Sequence, residues 1–184
     1  MRTSPSRAAR IVGASAVLAG LLTAAPSATA APAPAPGATA DYAGQSIDLA
    51  RDGWLDAHTC VVHTPENVRC YGEAAEADGA LGYERSADPA ARRNAAVPAC
   101  ASGWLCLYEH ANGGGRRLIF NDEYWHNLYD YGFENRTSSW RNNQRSGDFG
   151  GLRMSDDQRQ LWIDAPGYTA YIGIYNDRAY MVHG

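Results

Sequence analysis

CASGWLCLYEHANGGGRRLIFNDEYWHNLYDYGFENRTSSWRNN, residues 100–143, is the stretch on which the fold turns. From Trp104 to Tyr108, Leu105 and Leu107 alternate with Trp104, Cys106 and Tyr108, the two-faced pattern of a sandwich strand. Gly113 to Gly115 turns the chain, and Arg116 to Phe120 returns as the partner strand. The aromatic run from Tyr124 to Phe133 then crosses before a strand carrying Ser138, Ser139 and Trp140. That order is half of a Greek key. Such a half cannot bury its inner face alone, so a partner sheet is required. Downstream, Leu161, Ala165, Gly167 and Ile172 lie against Leu107, Ala111, Gly113 and Leu118 at an offset of 54, and YNDRAYMV (175–182) lies against FENRTSSW (133–140). These coincidences predict a duplicated mainly β domain over residues 99–184.

The placing of Tyr108, Gly115 and Ser138 or Ser139 resembles the βγ-crystallin motif, in which an aromatic residue precedes a glycine-containing hairpin that a later serine pins down. With Cys100 and Cys106 ahead of LYEHAN and SSW behind it, the string is similar to secreted proteins of the Streptomyces metalloproteinase inhibitor family, which are βγ-crystallin-like. The resemblance implies a βγ-crystallin-like Greek-key β-sandwich that inhibits an extracellular peptidase, a metalloprotease, by laying an exposed loop in its cleft as a substrate would. By position that loop falls around Arg159 to Pro166, with Leu161, Trp162 and Ile163 as apolar side chains for a thermolysin-like pocket. A disulfide braces the loop in the family. Here all four cysteines lie at or before Cys106, so that brace is missing.

The second reading is a βγ-crystallin-type structural or calcium-binding module without inhibitory activity. Residues 134–139 are similar to the calcium loop of microbial βγ-crystallins, making Glu134, Asn135, Ser138 and Ser139 the candidate ligands. Glu134 stands where Asn or Asp is usual, and the corresponding second loop has Asn176 and Asp177 but Tyr180 and Met181 in place of the serine pair. A capping role for the serines is the simpler reading, so no cofactor is required and calcium is the one the resemblance admits.

Upstream, Arg2, Arg7 and Arg10 precede an apolar run from Ile11 to Ala25 and then Ala28-Thr29-Ala30, the layout of a signal peptide over residues 1–30. The apolar run is shorter than the ~20 residues that span a bilayer. A secreted, extracellular chain is expected, and loss of the three arginines takes the formal charge from −4 to about −7. Neither nucleic acid nor an anionic membrane suits that charge as a partner. Four cysteines in an exported chain imply two disulfides, and sequence allows three pairings. The expected one joins Cys60 to Cys70 and Cys100 to Cys106, since Cys60 faces Cys70 if Val62 faces Val68 across a hairpin.

Residues 31–41 are an Ala/Pro-rich spacer, and 42–83 read as a small disulfide-stapled module: a hairpin, then a short helix with Gly79 as its stop. Residues 84–98 read as a connector. Tyr124, Trp125, Tyr129, Tyr131, Phe133 and Trp140 could form a ligand platform, for a sugar among others, although core packing is the commoner fate of such residues in a β-sandwich. The five histidines lack zinc-site spacing, and no serine or cysteine sits in a nucleophile elbow, so the chain reads as a non-enzyme.

Overall fold

The first Greek-key half comprises β5 (Leu105–Tyr108), β6 (Arg117–Phe120), β7 (Trp125–Asn127) and β8 (Ser139–Asn142). The second comprises β9 (Phe149–Met154), β10 (Gln160–Asp164), β11 (Gly167–Thr169) and β12 (Ala179–His183) in this computed structural model, which describes residues 36–155 and 159–184. The expected signal peptide, residues 1–30, lies outside the described residues.

Each half gives its third strand to the other's sheet. One sheet contains β11-β8-β5-β6, and the other runs β10-β9-β12-β7. This exchange is why neither half closes alone: the inner faces of both sheets interlock around Leu105, Leu107, Phe120, Leu152, Ile163 and Val182. A local two-fold relates the loops before β8 and β12. Asn135 and Asp177 both take a φ of 54°. The Asn135 N–H donates to Ala179 O at 2.7 Å, and the Asp177 N–H donates to Thr137 O at 3.1 Å. The chain is mainly β, a βγ-crystallin-like Greek-key sandwich.

The alignment of 175–182 on 133–140 agrees with this two-fold, but the offset of 54 does not. Leu161 belongs to the second strand of its half, whereas Leu107 belongs to the first strand of the other. The true counterpart of β5 is β9, whose sequence FGGLRM hides the alternation. Its glycines are there for space: a Cβ on Gly150 would lie 2.8 Å from Leu105 Cδ2, and one on Gly151 would lie 3.0 Å from Trp125 Cη2.

The first four strands do not stand apart as a module. They are β1 (Thr39–Tyr42), β2 (Gln45–Asp48), β3 (Thr59–Thr64) and β4 (Asn67–Tyr71), and β3 pairs in parallel with β6. The first sheet therefore has eight strands, β11-β8-β5-β6-β3-β4-β1-β2. Leu49, Trp54 and Val62 share one core with Leu107 and Phe120, and β1 begins inside the expected spacer. The physical reason lies in β6: Arg117–Phe120 is buried at every position, as an inner strand covered on both faces must be.

The outer face of the eight-stranded sheet is covered too. Helix α1 (Ala74–Ala80) packs Ala77 on Val61, Cys106, Tyr108 and Ile119, and the buried Arg117 holds it through Asp78 at 2.8 Å and Ala74 O at 3.0 Å. Gly79 lies inside this helix, and it is Gly82, at φ 66°, that turns the chain after it. The expected connector holds a second helix, α2 (Pro89–Arg93). Asp88 caps it by accepting from Ala90 N at 2.9 Å and Ala91 N at 3.3 Å, and its other oxygen meets Arg141 Nη1 of β8 at 2.6 Å.

Candidate functional site

Among the expected contact residues, 160–164 form not a loop but β10, an edge strand paired on one side with β9. Ile163 is fully buried and Leu161 packs partly on the core, so neither is free to enter an enzyme pocket. Trp162 points the other way and is 51 % exposed. The ladder parity fixes which backbone groups are open. Met154 N donates to Arg159 O and Ala165 N to Asp148 O, so odd-numbered residues bond to β9, and Gln160, Trp162 and Asp164 turn N–H and C=O outward.

Beside that edge, the outer face of the four-stranded sheet carries an aromatic row. Trp162 of β10, Gly151 of β9, His183 of β12 and Trp125 of β7 lie in register across all four strands. Phe149 packs edge-on to Trp162 with ring centroids 4.8 Å apart, and Trp125 packs on His183 at 5.4 Å. The Arg153 guanidinium lies 4.1 Å over the Trp125 ring. The aromatic run noted in the sequence is thus divided. Tyr131 and Phe133 are core and Trp140 is partly buried against it, whereas Trp125 joins the outer row and Tyr124 is 70 % exposed.

The candidate calcium loop is tied down by its own side chains. The Ser139 hydroxyl donates to His110 O at 2.7 Å and accepts from Gly113 N at 3.0 Å, pinning the hairpin between β5 and β6. The Ser138 hydroxyl donates to Glu109 O at 2.8 Å and lies 3.4 Å from Asp177 Oδ1. Glu134 and Asn135 are exposed. The cleft here, about 270 Å³, is lined by Glu109, Asn135, Arg136, Ser138 and Asp177. Arg116 grips Glu109 with two nitrogens at 3.0 and 2.8 Å, and Arg136 adds a contact at 3.1 Å. Those bonds from Arg116 outweigh partial burial and hold the Glu109 carboxyl down at about 2. A calcium ion that took Glu109 as a ligand would have to displace guanidinium groups from its carboxylate.

The disulfides brace other parts of the chain. Cys60–Cys70 joins β3 to β4 across the hairpin, and Cys100–Cys106 ties the start of the Greek key to β5. Sequence reasoning missed the Asp88–Arg141 pair, whose only local signal was an Asp before Pro89, a helix-start pattern.

Part of the chain is similar to known proteins. No curated protein matches it in sequence. A βγ-crystallin from Ciona intestinalis is 18 % identical, covers 44 % of this chain and 98 % of its own, and has a TM-score of 0.37. A double mutant of a βγ-crystallin domain from Clostridium beijerinckii is 19 % identical, covers 44 % of this chain and 93 % of its own, and has a TM-score of 0.35. Residues 93–149, from the end of α2 through β5–β8 to the first residue of β9, match the family model of peptidase inhibitor family I36, which points to an inhibitor and not an enzyme.

Proposed function

We propose that this chain is a secreted inhibitor of extracellular metalloproteinases that offers the open edge of β10 to the enzyme's cleft as a ready-made substrate strand. The observation that carries it is the match of residues 93–149 to a peptidase inhibitor family. Endopeptidase clefts bind peptides extended, through backbone hydrogen bonds and side-chain pockets, and an open sheet edge supplies both. A free peptide loses about 1–2 kcal/mol of backbone entropy for each residue it orders. In β10 that ordering precedes binding, because β9 already holds the strand. Trp162 is the side chain for the enzyme's apolar pocket, with Gln160 and Asp164 flanking it on the same edge. The two disulfides fit an oxidising extracellular setting.

The test is titration of a thermolysin-like metallopeptidase with residues 31–184, with trypsin and subtilisin in parallel. Loss of metallopeptidase activity in proportion to added protein supports the proposal. Full activity at micromolar protein overturns it, and inhibition of the serine enzymes alone overturns the metalloproteinase assignment.

A further inference from the structure

The outer face of the four-stranded sheet goes beyond what the β10 edge requires. We infer that this face is itself a protein-docking surface, on which the peptidase seats its cleft rim over the aromatic row and sets a surface carboxylate against Arg153. The inference rests on the inhibitor reading above and extends it from a strand edge to a surface.

Three observations carry it. The first is composition: Phe149, Trp162, Trp125, His183, Met181 and Arg153 share the face, and aromatic residues, Met and Arg are the types enriched where proteins meet. Phe149 is 47 % exposed on this outer face. The second is preorganisation. The rings are fixed by one another and by Gly151, where an added Cβ would lie 3.4 Å from the Trp162 ring, so little side-chain freedom is left to lose on binding. The third is charge: Arg153 is spread over Trp125 with its Nη1 3.9 Å from Met181 Sδ, and among the described residues no carboxylate pairs with it. In a chain carrying an acidic excess, a guanidinium held on an aromatic face matches an acidic group on a partner.

The ring geometry sets a sugar apart from a protein. A polysaccharide rail needs coplanar aromatic faces, but the Trp125 and Trp162 planes cross at 58° and those of Phe149 and Trp162 at 88°. The exposed edge of β10 runs along the same face, so a protease engaging one meets the other.

The experiment compares the wild-type chain, residues 31–184, with Arg153→Glu, Phe149→Ala and Trp125→Ala. Inhibition and direct binding to the thermolysin-like peptidase are measured, with circular dichroism melts as the folding check. Arg153 and Phe149 are surface side chains, so at least those two variants stay folded. The expected result is a Ki at least ~10-fold higher for Arg153→Glu, with a flatter salt dependence of binding, and a comparable loss for Phe149→Ala. Wild-type inhibition with unchanged Ki in folded Arg153→Glu and Phe149→Ala overturns the docking face and leaves the inhibitor reading standing. A wild-type chain that neither binds nor inhibits overturns the inhibitor reading. Self-association or retention on insoluble polysaccharide that these variants abolish assigns the face to another occupant and overturns the inference.

Discussion

Replacing Ser139 by Ala removes one hydroxyl and two hydrogen bonds. Its Oγ donates to His110 O at 2.7 Å and accepts from Gly113 N at 3.0 Å, so one atom closes both ends of the hairpin loop that joins β5 to β6. Ser139 is itself fully buried, and the methyl left behind can replace neither bond. A hydrogen bond contributes about 0.5–1.5 kcal/mol net, and a partner left unpaired in the interior costs about 1–3 kcal/mol. Gly113 is half-buried and His110 exposed, so water recovers part of the loss. The expected destabilisation is about 2 kcal/mol, a fall in melting temperature of roughly 4–8 °C for a chain of this size. Ser138→Ala is the comparison, because its hydroxyl makes one good bond, to Glu109 O at 2.8 Å, and should cost about half as much. Differential scanning calorimetry of the two variants beside wild type reads both values. A Ser139→Ala melt within about 1 °C of wild type, or a larger loss from Ser138→Ala, would refute the assignment of Ser139 as the pin of the fold.

Acid should weaken the fold through two carboxyls. Burial pushes Asp88 up, but bonds from Arg141, Tyr83 and the Ala91 N–H hold it down at about 2, and Glu109 also lies at about 2. Both are depressed below their unfolded values, so their stabilisation is whole above pH ~4.5 and drains away as pH falls towards 2. Urea melts across that range check it, and Asp88→Asn should flatten the acid limb. Gly132→Ala should destabilise by at least about 2 kcal/mol, because φ is 61° and the new Cβ would lie 2.5 Å from Leu49 O; a chemical denaturation midpoint equal to wild type would contradict this. Replacing Cys60 and Cys70 with Ala should cost about 2–3 kcal/mol on the chain-entropy model, read by the same denaturation. Calcium at millimolar concentration should leave the melting temperature unchanged, since guanidinium groups already engage Glu109; a rise would show that the loop takes the ion after all.

How far the sequence disclosed this molecule depends on the element. The alternation of Leu105 and Leu107 and the turn at Gly113–Gly115 placed β5 and β6 directly, because the leucines enter the core between the sheets while Cys106 and Tyr108 pack under α1, and two faces of different residue type leave a period-two trace although both are buried. The exchange of β7 and β11 between sheets left none. Strands of three residues carry too few positions for a pattern, and which sheet they join is settled by contacts distant in sequence. Pairing of β3 with β6 was hidden for a related reason: Leu118-Ile119-Phe120 shows that both faces are covered, not what covers the edge. At the candidate site, Leu161, Trp162 and Ile163 looked equivalent as apolar residues. Only the registration of β10 on β9 shows that Trp162 alone faces out, and the glycine pair of β9, of which Gly151 makes room for its ring, had erased the signal of that strand.

Hydrogen exchange on the complex tests most directly whether β10 meets the enzyme as a strand. With a saturating thermolysin-like peptidase, the amides of Gln160, Trp162 and Asp164 should slow by at least ~10-fold while those of Leu161 and Ile163, already bonded to β9, change little. Protection confined to the β5–β6 hairpin or to α1, with Gln160, Trp162 and Asp164 exchanging as in the free protein, would contradict it.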